Sequence, residues 1–183
     1  EERGNKGAAL TSYLSLAGRY CVLMPNTPKG GGISRKISTS TDRQRLKKVL
    51  EGLNLDKGMA LIIRTAGSKR TKVEIKRDFQ NLISMWEDIK NKTVKSNAPN
   101  LIHDEGSVIK RAVRDMYNSD VEEILVQGEL AFKTCKSYMK SLMPSHIKKI
   151  QQYTDDNVLL FQKFGIDTQL SDIFKPTVHL KSG

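Results

Sequence analysis

The sequence predicts a mixed α+β protein in two parts, a small mixed-sheet domain with two helices followed by an alternating α/β segment. Three observations carry this assignment. Short apolar runs bounded by Gly and Pro mark strands in the first half, stripes of apolar residues at a 3.6-residue period mark two helices among them, and strand and helix patterns alternate regularly beyond Pro99. At 183 residues and 38% hydrophobic content, the chain can build a real core in either one large or two small domains.

The first half is expected to begin with a strand over 10–16, where Leu10, Leu14 and Leu16 recur at period two. Gly18-Arg19 forms a tight connection to a second strand, Tyr20-Cys21-Val22-Leu23-Met24, which Pro25-Asn26 ends. Gly18 would also let a ligand approach the backbone, having no Cβ. The triple glycine Gly30-Gly31-Gly32 can form an anion-binding nest or simply a flexible turn. Alternation in Ile33-Ser34-Arg35-Lys36-Ile37 predicts a third strand carrying Arg35. From Asp42 the stripe Leu46, Val49, Leu50 and Leu53 predicts a helix whose other face holds Arg43, Arg45, Lys47 and Lys48.

Gly58-Met59-Ala60-Leu61-Ile62-Ile63-Arg64-Thr65-Ala66-Gly67 reads as a buried strand that stops on an arginine. Arg64 supplies a planar fork of donors and Thr65 a hydroxyl, which together suit one small oxyanion such as a terminal phosphate. A surface arginine closing a strand would leave the same local pattern. After the basic loop Ser68-Lys69-Arg70-Thr71-Lys72, the positions Val73, Phe79, Leu82, Ile83, Trp86 and Ile89 predict a helix to about Asn91, with Trp86 in the core stripe.

Asn97-Ala98-Pro99-Asn100 marks a boundary, and the charge changes there too. The net charge is +11; residues 1–95 carry 20 Lys+Arg against 9 Asp+Glu, whereas residues 96–183 carry 11 of each. A uniformly lysine-rich composition would explain the amount but not its confinement to one half, which points to a phosphate-rich partner. The second half reads as a helix over 107–117, a strand over 123–126, a helix over 129–142, a strand over 147–153, a helix from 158 to 173 and a final strand over 177–180. His103-Asp104-Glu105 groups metal-capable side chains, but neighbours on an extended segment face opposite ways and are poorly placed to share an ion. Cys21 and Cys135 lack a CxxC or Cys/His partner and read as reduced, buried thiols. No run approaches the roughly 18 apolar residues of a membrane span and no signal peptide is evident, so a cytoplasmic location is expected. The abrupt ends lead us to expect a piece of a longer protein.

The blocks Gly7-Ala8-Ala9-Leu10-Thr11, Leu16-Ala17-Gly18-Arg19-Tyr20, Leu23-Met24-Pro25-Asn26, Gly31-Gly32-Ile33-Ser34-Arg35 and Gly58 to Gly67 closely resemble the ribonuclease E / ribonuclease G family, and Leu101-Ile102-His103 extends the likeness. The resemblance implies a slice of a bacterial endoribonuclease of RNA processing and mRNA decay. Residues 1–12 would be the last strand of an OB-type RNA-binding domain, 13–108 a sensor of the RNA 5′ end, and 109–183 an incomplete ribonuclease-H-like subdomain. It further implies that Arg64, Thr65 and the backbone at Gly18 hold a 5′-monophosphate, that Val22 supports the first base, and that Arg35 and Lys6 lie near the RNA path. Arg19, where the family often has a small residue, could add a phosphate donor. The family's catalytic aspartates with their Mg2+, and its zinc-linking cysteine motif with Zn2+, are expected beyond Gly183, so this fragment is expected not to cleave RNA and to hold no cofactor. The partner is RNA with a 5′-monophosphate; the parent is expected to be a homo-oligomer that associates with other RNA-decay proteins and the inner membrane surface. A non-sensing module that grips RNA by its backbone, or serves oligomerisation, is the alternative.

Overall fold

The computed structural model describes residues 12–27, 31–105, 107–178 and 180. The chain folds into two compact units that divide between Ser107 and Val108. The division falls later than the Asn97–Asn100 linker because the segment beyond the linker packs back onto the first unit. Ile102 joins the first core, and the Glu105 carboxylate accepts the Ala17 amide at 3.1 Å.

The first unit is an α+β sandwich of one sheet and two helices. Its strands are β1 (Leu16–Ala17), β2 (Cys21–Met24), β3 (Gly32–Ile33) and β4 (Ala60–Ile63), in the spatial order β1-β2-β4-β3. The β1-β2 and β2-β4 pairs are antiparallel; β3 runs parallel to β4. A parallel neighbour requires a crossover, and helix α1 (Ser40–Glu51) provides it. The second helix, α2 (Lys72–Lys95), starts at a capping box in which the Thr71 amide donates to Glu74 Oε2 and the Glu74 amide donates to Thr71 Oγ1. These reciprocal bonds satisfy two donors that a helix start otherwise leaves unpaired.

Strand alternation sorts the sheet into two faces. Leu16, Cys21, Leu23, Leu61 and Ile63 fall on one face and are buried with Leu46 and Val49 of α1 and Ile75, Phe79, Leu82 and Ile89 of α2. Ala17, Val22 and Ile62 align on the opposite face and remain half-buried. Full burial of a Leu or Ile side chain stabilises by about 1.5–3 kcal/mol, so this cluster is what fixes the sheet register.

The second unit comprises α3 (Val108–Asp115), β5 (Ile124–Gln127), α4 (Glu129–Leu142), β6 (Ile150–Tyr153), α5 (Leu160–Lys163) and α6 (Ile166–Ile173). β5 and β6 pair in parallel, with α4 as the crossover. Val113, Tyr117, Cys135, Met139 and Ile150 form the core.

Four sequence expectations are corrected. The third strand ends at Ile33 and Ser34–Ile37 forms a turn closed by the Ile37 amide on Ser34 O, which puts Arg35 on a turn. Its last ladder bond is Ser34 N to Ile63 O, the final residue of β4. The strand expected over 147–153 loses its start to a 3₁₀ segment, Pro144–Lys149, which opens on a proline whose fixed φ suits a helical turn. The helix expected over 158–173 breaks at Gly165, which adopts φ +63. Thr177, Val178 and Leu180 form no strand. The strand expected over 10–16 is represented among the described residues by Leu16–Ala17; residues 1–11, Lys6 among them, lie outside the description.

Candidate anion-binding site at one end of the first sheet

β3 and β4 are parallel and end together, and β2, antiparallel to β4, begins at that same end. Topology therefore gathers the β1-β2 turn, the exit of β4 and the turn after β3 at one edge of the sheet. These carry Gly18 and Arg19, Arg64 and Thr65, and Arg35 respectively. Segments far apart in sequence thus become neighbours.

Arg64 is held by both ends. Its amide donates to Tyr20 O at 2.8 Å, continuing the β2-β4 ladder by one residue. Its Nη1 donates to Gly18 O at 2.6 Å and lies 3.5 Å from Arg19 O. The side chain is half-buried, which shields the guanidinium from bulk water while leaving it reachable. Thr65 opens a 3₁₀ turn, Thr65–Gly67, and is exposed. Gly67 packs closely: a Cβ there would stand 3.0 Å from Ile63 Cγ2 and 3.2 Å from Tyr20 O, so both neighbours would have to shift by a few tenths of an ångström to admit one.

Beneath the turn lies a buried charge. Asp78 of α2 is 3% exposed, and its carboxylate accepts three consecutive amides: Arg19 N at 3.0 Å, Tyr20 N at 2.8 Å and Cys21 N at 2.9 Å. Burial pushes the Asp78 carboxyl above its ordinary range, while the amides of Tyr20, Arg19 and Cys21 and the charge of Arg64 oppose that rise. The same surroundings act on Cys21. Burial raises its thiol, the Asp78 charge adds to the effect and Arg64 opposes it, so the sulfur stays protonated and is no nucleophile.

The absence of a Cβ at Gly18 is required by this packing. A Cβ there would sit 2.5 Å from Asp78 Oδ2. Its two backbone groups are also engaged: the amide donates to Cys21 O at 2.8 Å, and the carbonyl receives Arg64. Arg19 is 6% exposed and its Nε donates to the Tyr20 hydroxyl at 3.0 Å. The Tyr20 ring also has Arg19 and Arg70 guanidinium carbons at 5.4 and 5.6 Å from its centroid. Arg45 of α1 donates to the carbonyls of Ser68 and Arg70 and ties down the basic loop after the 3₁₀ turn. Val22 lies one strand position from Cys21 on the half-buried sheet face, paired with Ile62.

Sequence reasoning missed Asp78 and Tyr20. A signal for Asp78 existed: it lies three residues after Ile75 and four before Leu82, on the stripe that faces the core, and a carboxylate there needs donors. Among the described residues no three His, Cys, Asp or Glu side chains converge on a common point. His103 and Asp104 are exposed, and Glu105 serves the edge amide of Ala17. Among the described residues no helix is long and apolar enough to cross a membrane.

Fold and site together define an α+β domain with an arginine clamped at a sheet end beside a tight backbone turn. The chain matches the model of the Ribonuclease E/G family over residues 15–183 and belongs to that family. It is 43% identical over its full length to ribonuclease E of Haemophilus influenzae, covering 19% of that protein, and 43% identical to ribonuclease E of Escherichia coli, covering 17%. Ribonuclease G of Haemophilus influenzae is 29% identical over 183 residues, with 37% of its length covered. The chain thus spans less than a fifth of these two ribonuclease E proteins.

Proposed function

We propose that this chain is the part of a metal-dependent endoribonuclease that recognises the 5′ end of single-stranded RNA and binds a 5′-monophosphate at Arg64 and Thr65. The observation that carries this reading is the guanidinium of Arg64, fixed on Gly18 O at 2.6 Å at the sheet end where the exposed Thr65 follows it in the chain. A dianionic phosphate receives charge-assisted hydrogen bonds from the guanidinium fork and a further bond from the hydroxyl. Gly18 contributes as the turn that seats Arg64, because its own amide already serves Cys21 O. Arg35, exposed on its turn at the same sheet end, adds positive charge along the RNA path, and Val22 offers an apolar surface to the first base. A triphosphate is bulkier than a single phosphate, so discrimination between the two is steric.

Cleavage belongs elsewhere in the longer enzyme. There Mg2+ held by aspartates would activate the attacking water, and a zinc-bound cysteine motif would link protomers of a cytoplasmic homo-oligomer that meets other RNA-decay proteins at the inner membrane surface. The exposed cations of α1, Lys47 and Lys48, supply sequence-independent affinity for the RNA backbone.

Replacing Arg64 by Ala tests the assignment. Affinity for 5′-monophosphorylated RNA should fall while 5′-hydroxyl RNA binds as before. Equal losses for both RNAs would favour a module that grips only the backbone.

A further inference from the structure

We propose that Asp78, which touches no RNA, is the positioning residue of the phosphate site and determines the preference for a 5′-monophosphate by holding the Gly18–Cys21 turn that aims Arg64. This inference rests on the phosphate reading of Arg64 given above.

Burying a carboxylate is expensive unless its oxygens are fully hydrogen-bonded, and the Asp78 oxygens are engaged in an unusual way. All three donors are consecutive main-chain amides, those of Arg19, Tyr20 and Cys21. Successive amides that converge on one anion form a nest, and here the nest is filled from within by a side chain of α2. The turn gains what a two-residue hairpin does not supply, a partner for each of those inward amides. Its outward groups are consequently the carbonyls of Gly18 and Arg19, and these are the oxygens within reach of Arg64 Nη1. A chain of contacts therefore runs from α2 through the turn to the guanidinium.

The consequence is preorganisation. An arginine side chain loses much of its rotamer freedom when fixed. Here the loss is met during folding, so the arriving phosphate does not bear it. Glycine at position 18 belongs to the same device, since a Cβ there would lie 2.5 Å from Asp78 Oδ2.

The test is a double-mutant cycle with the 183-residue chain and two single-stranded oligoribonucleotides of one sequence, bearing either a 5′-monophosphate or a 5′-hydroxyl. Asp78→Asn keeps the shape but turns an NH2 group toward amide donors. It should reduce the monophosphate preference about ten-fold, a typical coupling between contacting groups, and leave 5′-hydroxyl binding unchanged. In an Arg64→Ala background the preference is already gone, so the discriminating readout is 5′-hydroxyl binding in the single variant: a positioning role lowers the preference at unchanged 5′-hydroxyl affinity, whereas a merely structural role would weaken binding of both RNAs together. Gly18→Ala attacks the contact from the turn side and should reproduce the selective loss even if Asp78→Asn prevents folding. Preference retained in Asp78→Asn or Gly18→Ala, but lost in Arg64→Ala, would overturn the positioning role and leave the phosphate reading intact. Preference retained in Arg64→Ala would overturn both.

Discussion

Arg64 Nη1 donates to Gly18 O at 2.6 Å, joining residues 46 positions apart in sequence. The bond closes a loop of dependence: β4 places Arg64, the β1-β2 turn receives it, and Asp78 of α2 holds the turn. A substitution in any of these three elements should therefore be felt at the sheet end.

The central strand sets that geometry. Leu61 is fully buried and pairs with Leu23 across the β2-β4 ladder. Leu61→Ala should destabilise the protein by about 2–5 kcal/mol through lost burial and the cavity left behind. Chemical denaturation of the variant and the parent chain measures the difference.

Gly67 offers a more local probe. Its missing Cβ lets the 3₁₀ turn lie on Tyr20 O, 3.2 Å from where a methyl group would sit. Gly67→Ala should cost about 1–3 kcal/mol as overpacking against the Ile63 side chain and the Tyr20 carbonyl, read as a lower thermal midpoint than that of the parent chain.

The start of α2 gives a pH signature. Burial alone would raise the Glu74 carboxyl, but hydrogen bonds from the Thr71 amide and hydroxyl and the nearby Arg70 charge leave it below its ordinary value of 4.5. A carboxylate depressed by folding contributes stability that is present above its unfolded value and is lost as pH falls through the folded one. Glu74→Gln should therefore be less stable than the parent at neutral pH, with the gap closing as the solution is acidified below the ordinary value. Thermal midpoints recorded across that range check the sign. Thr71→Ala removes the other half of the box and should cost about 1 kcal/mol at neutral pH.

The cations of α1 should behave differently from Arg64. Lys47 and Lys48 are exposed, so replacing both with Ala should weaken binding of 5′-monophosphorylated and 5′-hydroxyl RNA equally and flatten the dependence of affinity on salt. A titration at two or more salt concentrations separates this behaviour from the end-specific loss expected of Arg64→Ala.

Much of this architecture was legible because local chemistry and tertiary context agree. The helix over 129–142 and the strand ending at Ile63 are set by periodicity and by bounding residues, and both stand as read. Arg64 and Thr65 stood out because polar donors directly follow an apolar run. What stayed hidden depends on partners distant in sequence. Arg35 leaves the sheet because β4 ends beside it, which no pattern in 33–37 records. Gly18 looked like an opening for a ligand, whereas its neighbour is a carboxylate 60 residues later in the chain. Asp78 itself is a single polar residue on an apolar stripe, and only the folded turn shows which donors it serves.

The most direct measurement of the central claim is an equilibrium titration of the unmodified chain against two RNAs that differ only in their 5′ end. Tighter binding of the 5′-monophosphate, surviving a rise in salt that weakens both RNAs, is the predicted result. Identical affinities at every salt concentration would contradict it.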